Sequence, residues 1–392
     1  MEADSWIVCQ LGAREHYAIP RALAQSGRQD LLITDLWCPP GSVFSSLPST
    51  RRLGDRYHSD LSNADVQSFN ERFISFEIAS RFQKQSGWKT IMARNDLFQN
   101  LAVTQLEKRF GRGRDTGPNS IFSYSYAARD IFALADSFGI EKVLGQIDPG
   151  PEEERNVAEE HQKHPELASH WQPAPHEYWS SWREEIRLAD RIVVNSEWSK
   201  ECLLKEGVPE EKMKVIPLLF VDRSKSATPL KSESGKFRVL FLGTISLRKG
   251  IARLLSAMEL LKSENVELLL AGPSEIDPSA WEDMDNITWL GPIPRSQVAE
   301  VYQSADVFIL PTLSDGFALT QLEALSYGLP VIASVYCGEA VIEGQNGWIL
   351  ENLEPETIAQ TIMRSSHEYR SLPKIQANEF GLDSLAEALL KR

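Results

Sequence analysis

Residues 306–334 read D-V-F-I-L-P-T-L-S-D-G-F-A-L-T-Q-L-E-A-L-S-Y-G-L-P-V-I-A-S. The apolar run from Asp306 to Pro311 has the character of a strand buried in a parallel sheet. The small residues after it open a loop onto a helix, and L-P-V-I-A-S then returns to strand character. This is a β-α-β unit whose loop ends at a helix start. Backbone N–H groups from about Phe317 to Thr320 point out of that first turn, where the helix dipole favours a phosphate by roughly 0.3 to 1 kcal/mol. Asp315 stands at the mouth of the loop. Glu323 follows eight residues later, some 7 to 8 Å along at about 1.5 Å of rise per residue, a reach suited to the ribose of a nucleotide. The alternative is a capped amphipathic helix, with Asp315 as its N-cap and Glu323 solvated. Leu319, Leu322 and Leu325 mark the apolar face and set Glu323 on its flank, so a half-buried carboxylate with a ligand hydroxyl or a specific donor is expected there.

At 392 residues the chain exceeds one ordinary core and fits two domains of roughly 150 to 200 residues. Its net charge of -14 and pI near 5.1 argue against a nucleic-acid partner, which wants a basic face, and leave small anions and neutral acceptors. A basic cluster, Lys108, Arg109, Arg112 and Arg114, allows at most peripheral contact with an anionic membrane, and a solvated helix end explains it as well. Cys9, Cys38, Cys202 and Cys337 form no C-x-x-C pair and read as packing thiols of a reducing compartment. The start, M-E-A-D-S-W-I-V-C-Q-L, lacks the basic and long apolar parts of a signal peptide, and no apolar run reaches the roughly 20 residues of a membrane span. A cytoplasmic location is expected.

Short apolar runs alternate with longer amphipathic ones throughout, the pattern of doubly wound α/β sheets. Strands are expected at Trp6 to Leu11, Leu31 to Thr34, Ser120 to Tyr124, Lys142 to Gly145 and Arg191 to Asn195. Between Pro151 and Trp182 the chain is rich in Glu, His, Pro and Trp and reads as helix pieces joined by loops. His161, His164, His170 and His176 there follow no metal-ligand spacing, so no metal is assigned. Residues 223–236, with Ser, Lys and Pro prominent and no hydrophobic period, read as a linker between a first domain, 1–222, and a second, 237–375. A second strand and helix series starts at Phe237.

The second half resembles the nucleotide-sugar-binding domain of a GT-B glycosyltransferase of the large retaining group numbered family four. The matching pieces are G-T-I-S-L-R-K-G at 243–250, L-L-L-A-G-P at 268–273, I-T-W-L-G-P-I-P at 287–294, the D-G-F-A-L-T-Q-L-E segment, G-L-P-V-I-A-S at 328–334 and G-E-A-V-I-E-G-Q-N-G-W-I-L at 338–350. The first half is similar more loosely, through A-D-R-I-V-V-N-S-E-W-S-K at 189–200 and the glycine loop Q-L-G-A-R-E-H-Y at 10–17. The resemblance implies two Rossmann-like domains facing across a cleft, with a C-terminal helix, about 376–392, crossing back to the first. It implies transfer of a hexose-type sugar, with retention and without a required metal or cofactor, from a UDP- or GDP-sugar to a glycan, lipid-linked or small-molecule acceptor.

Residue by residue, the resemblance implies that Lys249 neutralises the donor diphosphate, Asp315 touches the hexose, Glu323 grips the ribose, Gly316, Phe317, Ala318, Leu319 and Thr320 cradle phosphate, Ile293 borders the base, and Gly12 lies at the donor. Asp315, Lys249 and Asp148 are the catalytic candidates; His16, Asp148 and Trp179 are the acceptor-side candidates. Three departures stand out: Thr244 replaces a family arginine, leaving Arg248 the nearest guanidinium; Ile147 stands where many members have histidine; and Asp315 replaces a glutamate. Arg248 and Lys249 as an ordinary basic pair, Gly12 to His16 as a plain turn and Asp148 as a turn initiator before Pro149 remain alternatives. The Asp283-Met284-Asp285 triplet spells a metal-binding D-x-D but falls in a polar loop. An epimerase of the same fold and a non-catalytic nucleotide-sugar scaffold are the other functional readings.

Overall fold

A computed structural model describes residues 5–42, 56–83, 86–111, 118–167, 171–219, 235–373 and 380–391. The first sheet is built from β1 (Trp6–Gln10), β2 (Gln29–Thr34), β3 (Val66–Ser68), β4 (Ser120–Tyr124), β5 (Glu141–Gly145), β6 (Arg191–Val194) and β7 (Met213–Val215), in the spatial order β3-β2-β1-β4-β5-β6-β7. The second holds β8 (Phe237–Leu242), β9 (Val266–Ala271), β10 (Ile287–Gly291), β11 (Val307–Leu310), β12 (Val331–Ser334) and β13 (Gly347–Leu350), in the order β10-β9-β8-β11-β12-β13. Every pairing is parallel. In both sheets the order of strand addition reverses once, between β1 and β4 and between β8 and β11, and such a switch point leaves a crevice at the strand C-termini.

Helices cover both faces, as strands apolar on both sides require. Those of the first half are α1 (Ala18–Gln25), α2 (Asn70–Phe82), α3 (Trp88–Phe110), α4 (Arg129–Ser137), α5 (Pro151–Lys163), α6 (His176–Leu188) and α7 (Glu197–Lys205). The second half adds α8 (Ile251–Leu260), α9 (Val298–Gln303), α10 (Leu319–Ser326), α11 (Pro355–Glu368) and α12 (Leu382–Leu390). The strands expected from sequence all form, within a residue or two at their ends. β3 and β7, three residues each and only half-buried, carry too little pattern to be read. The expected linker is described only at residues 235 and 236.

α12 returns to the first sheet's side, where Leu385, Ala386 and Leu389 share a core with Ala18, Ile19, Ala22 and Leu23 of α1. Gln25 Nε2 donates to Asp383 Oδ1 at 2.7 Å beside that contact. Direct bonds also join the two sheets' loops. Ser196 Oγ donates to the Gly316 carbonyl at 2.6 Å, Trp198 Nε1 donates to Ser314 Oγ at 3.2 Å, and Arg253 of α8 makes a two-pronged ion pair with Glu160 of α5, both contacts 2.9 Å.

Candidate active site

The two switch-point crevices open toward each other. On the second-domain side, the tight turn at 247–250 is tied to the loop after β11: Leu313 N–H and Thr312 Oγ1 both bond the Arg248 carbonyl, at 2.9 and 3.2 Å. Gly250 makes this possible. Its φ is +74°, and a methyl there would lie 1.8 Å from the Pro311 carbonyl oxygen. The turn thereby delivers Lys249 and Arg248 to Asp315. Lys249 Nζ is ion-paired with Asp315 Oδ2, and Arg248 Nη1 lies 3.4 Å from the same oxygen and 3.2 Å from the Ser314 carbonyl. Burial by itself would raise the Asp315 carboxyl, but Lys249, Arg248 and the Ala318 N–H outweigh it and hold the group below the usual carboxylate range.

Asp315 is a charged partner of Lys249 and meets the Ala318 N–H, but it does not cap α10: the N-cap position is Ala318, and no side chain caps the helix. α10 starts at Leu319, after Ala318 at φ 63°. Lys249, Asp315, Ala318, Leu319 and Thr320 form one wall of the cleft; Arg14, Tyr124, Ile147 and Asn195 form the other. Two expectations change here. Leu319 is 46% exposed at this wall instead of buried. Glu323 is exposed instead of half-buried, although a specific donor is present: Tyr302 OH bonds Glu323 Oε2 at 3.0 Å. Of the three leucines, Leu322 is buried and Leu325 half-buried.

On the first-domain side, Asp148 is fixed through one oxygen. Oδ1 accepts from Tyr126 OH at 2.5 Å, Gln146 Nε2 at 3.1 Å and Gly150 N–H at 3.0 Å. Burial raises its carboxyl pKa, against the pull of those bonds and of Arg14 and Arg248. Asp148 is thus more than a turn initiator. Glu153, at the start of α5, was not legible as a site residue because P-E-E-E reads as acids at a helix N-terminus. Its Oε1 lies 3.7 Å from Arg248 Nη1, its Oε2 is buried without a hydrogen bond, and burial, with Arg248 opposing and Asp148 and Asp315 reinforcing, pushes it up to about 8.

Glu15, Tyr126 and Ala318 line these openings with left-handed backbone, φ 49°, 75° and 63°. Such conformations cost of order 1 to 3 kcal/mol for a residue with a side chain, and surrounding structure must impose them. For Tyr126 the imposing group is Glu185, whose carboxylate takes the Tyr126 and Ala128 N–H groups at 2.7 and 2.9 Å. For the loop after β1 it is Gln10, whose Nε2 bonds the Gly12 and Arg14 carbonyls at 3.0 and 3.2 Å.

The other expected residues distribute as follows. Thr244 lies beside Arg248 in a pocket walled by Trp88, Tyr126, Tyr178 and Trp179. Trp179 faces that pocket with its Nε1 held by Glu154 Oε1 at 2.9 Å, and its ring meets Trp182 edge-on. Gly12, at φ +86°, gives its N–H to Asp35 Oδ1 at 2.9 Å and borders an adjoining pocket on the first-domain side. Ile293 packs at the edge of the second core, and exposed His16 meets Arg295 of the second domain, Nε2 to Nη2 3.4 Å. The histidines of 151–182 have separate partners: His161 stacks on Trp171, His164 pairs with Glu160 and Glu166, and His176 bonds Ser180; His170 lies outside the described residues. Arg109 pairs with Asp30, while Arg112 and Arg114 lie outside the described residues. Among the described residues no helix is long and apolar enough to cross a membrane.

Residues 236–367 match the family of glycosyl transferases group 1. An uncharacterised glycosyltransferase of Methanocaldococcus jannaschii is 26% identical over 194 residues, 44% of this chain and 50% of that protein. The chain spans about half the length of the curated relatives it matches first. Among solved structures, Anabaena HepE in complex with UDP superposes with a TM-score of 0.56 at 16% identity, over 98% of this chain and 94% of that one. A glycosyltransferase from Rickettsia africae gives 0.59 at 15% identity, over 99% and 100%. With two parallel sheets, a cleft between their switch points and a helix returning to the first, the protein has the GT-B fold, and its second half belongs to the group 1 glycosyltransferases.

Proposed function

We propose that the protein is a retaining glycosyltransferase that takes a hexose-type sugar from a UDP- or GDP-sugar and transfers it to a sugar, lipid-linked or small-molecule acceptor, with no metal required. The observation that carries this reading is the joining of Lys249, Arg248 and the start of α10 around Asp315 at the mouth of the interdomain cleft. Two cations and a helix N-terminus are what a leaving nucleoside diphosphate needs as charge builds on it.

In this reading Lys249 exchanges Asp315 for diphosphate oxygens, and Asp315, released, turns to the hexose. Glu323 holds the ribose with Tyr302 fixing its carboxylate. Gly316, Phe317, Ala318, Leu319 and Thr320 form the cradle for the phosphates, with Gly12 and Ile293 at its borders. Asp148 faces the transferred sugar and the acceptor from the first domain, with His16 and Trp179 at the acceptor's approaches. With Ile147 in place of histidine, no neutral base stands at that point, so the leaving phosphate itself takes the acceptor proton. The domain boundaries at about 222 and 237 and the linker between them belong to the same reading.

The test is incubation with single nucleotide sugars and an acceptor panel in chelator, following nucleoside diphosphate release and the anomeric configuration of the product by NMR. An axial donor sugar giving an axial product supports the reading. An inverted product, or donor conversion without acceptor, overturns it.

A further inference from the structure

Beside the cleft lies a second pocket whose walls come from the first domain alone. It shares Arg14, Tyr124 and Ile147 with the Lys249 cleft and Tyr126 and Asp148 with the aromatic pocket, so it opens onto the place where an acceptor meets the donor. Three guanidinium groups, those of Arg14, Arg56 and Arg94, line it. That is unexpected in a chain of net charge -14.

Their existing partners do not balance them. Asp35, fully buried, takes Arg56 Nη1 at 3.1 Å and Arg94 Nη2 at 3.0 Å, and also caps the Gly12 N–H. One carboxylate thus fixes two guanidinium groups and the glycine loop. Arg94 Nε is buried without a hydrogen bond, its nearest acid being the half-exposed Glu77 at 3.7 Å. Arg14 is exposed, has no ion-pair partner among the described residues, and lies over the Tyr124 ring at 5.6 Å. Its neighbour Glu15 bonds Tyr124 OH instead, and burial pushes that carboxyl up to about 7, which leaves it partly protonated at neutral pH. Asp148, on the far wall, has the bonds to Tyr126, Gln146 and Gly150 already described. Three guanidinium groups lining one recess, two of them fixed by a single buried acid, are an arrangement for gripping an oxyanion in a forked geometry.

We propose that the pocket of Arg14, Arg56 and Arg94 binds an oxyanion carried by the acceptor, a phosphomonoester or carboxylate, so that the protein selects negatively charged acceptors over neutral ones. This rests on the transferase reading above and names the substrate class of its acceptor side. The oxyanion is carried either on a soluble molecule or on a lipid headgroup; both present the same chemistry to the pocket.

The experiment is calorimetric binding of matched probes, glycerol against glycerol 3-phosphate and glucose against glucose 6-phosphate and glucuronate, each with and without UDP, beside vesicles of phosphatidylcholine with and without anionic phospholipid. The charged member of at least one pair, or the anionic vesicle, should bind at least ten-fold tighter than its neutral counterpart. Arg94→Gln and, separately, Arg14→Gln should remove most of that advantage, Arg94→Lys should restore part of it, and UDP affinity should change less than two-fold in Arg94→Gln. Advantage on soluble probes identifies a soluble acceptor; advantage on vesicles alone identifies a lipid-borne one. Equal binding of charged and neutral probes throughout, or an advantage untouched by both glutamine variants, overturns the proposal. If UDP binds while charged probes gain nothing, the arginine pocket fails and the donor site stands. If charged probes gain but UDP does not bind, the donor site fails instead.

Discussion

Gly316 of the second domain and Ile147 of the first meet so closely that a methyl added at Gly316 would sit 2.4 Å from the Ile147 carbonyl oxygen and 2.8 Å from Asn195 Nδ2. The Gly316 carbonyl accepts from Ser196 Oγ on the same side. The missing side chain thus lets the loop that starts α10 touch the strand end that carries Asp148. Gly316→Ala is expected to push the two loops apart and to lower turnover by about ten-fold or more, since misplacement of a reacting group by about an ångström costs up to two orders of magnitude. Turnover equal to wild type in a steady-state assay would show that this contact does not set the geometry.

Asp315 neutralises the two cations that would hold the diphosphate in the proposed function. Asp315→Asn keeps an oxygen for the Ala318 N–H and removes the competing charge beside Lys249 and Arg248. UDP alone is expected to bind several-fold tighter to this variant while sugar transfer falls by about ten-fold or more, a split between diphosphate and hexose contacts. Weaker UDP binding with unchanged transfer would remove Asp315 from the hexose.

Glu153 makes stability depend on pH in a defined direction. Its carboxyl titrates from about 8 in the folded protein against 4.5 for the free side chain. Between those values the unfolded chain gives up a proton that the folded protein keeps, so this group's contribution is full below about 4.5 and is lost as pH rises toward 8. Glu153→Gln removes that slope. The melting temperature of the variant relative to wild type should therefore rise from pH 5 to pH 8; a constant difference would place the Glu153 carboxylate in ordinary solvation.

Arg253 holds Glu160 across the domains. Glu160 has a side chain only 2% exposed, so Arg253→Ala leaves its charge buried without the guanidinium. The cost expected from urea unfolding is about 3 kcal/mol, and the double change to leucine at both positions should recover much of it, because a removed pair leaves no orphan charge. A loss below about 1 kcal/mol would mean that water reaches Glu160 readily.

The alternation of strands and helices was legible because parallel strands buried on both faces, such as β11 with Val307, Phe308, Ile309 and Leu310, are apolar without interruption. The turn at 243–250 and the start of α10 were legible because Gly, Lys and Asp occupy positions where backbone geometry and charge leave few choices. What the sequence hid is long-range pairing. Asp35, Arg56 and Arg94 sit in three separate segments, and nothing local marks them as one cluster. Glu153 is one of three consecutive acids in the first turn of a helix, and only the approach of Arg248 from the other domain sets it apart. Glu323 sat on the flank of an apolar face in sequence, yet in the fold it is exposed and its donor is Tyr302 OH, twenty-one residues away.

In the proposed function Lys249, ion-paired with Asp315 in the loop before α10, binds a nucleoside diphosphate. Calorimetric titration of UDP and GDP into wild type and Lys249→Ala tests it most directly. One nucleotide should bind wild type, and the variant should bind it about ten- to one-hundred-fold more weakly, the worth of a charge-assisted bond of about 1.5 to 3 kcal/mol. Equal affinity in the two proteins, or no binding of either nucleotide to wild type, would contradict it.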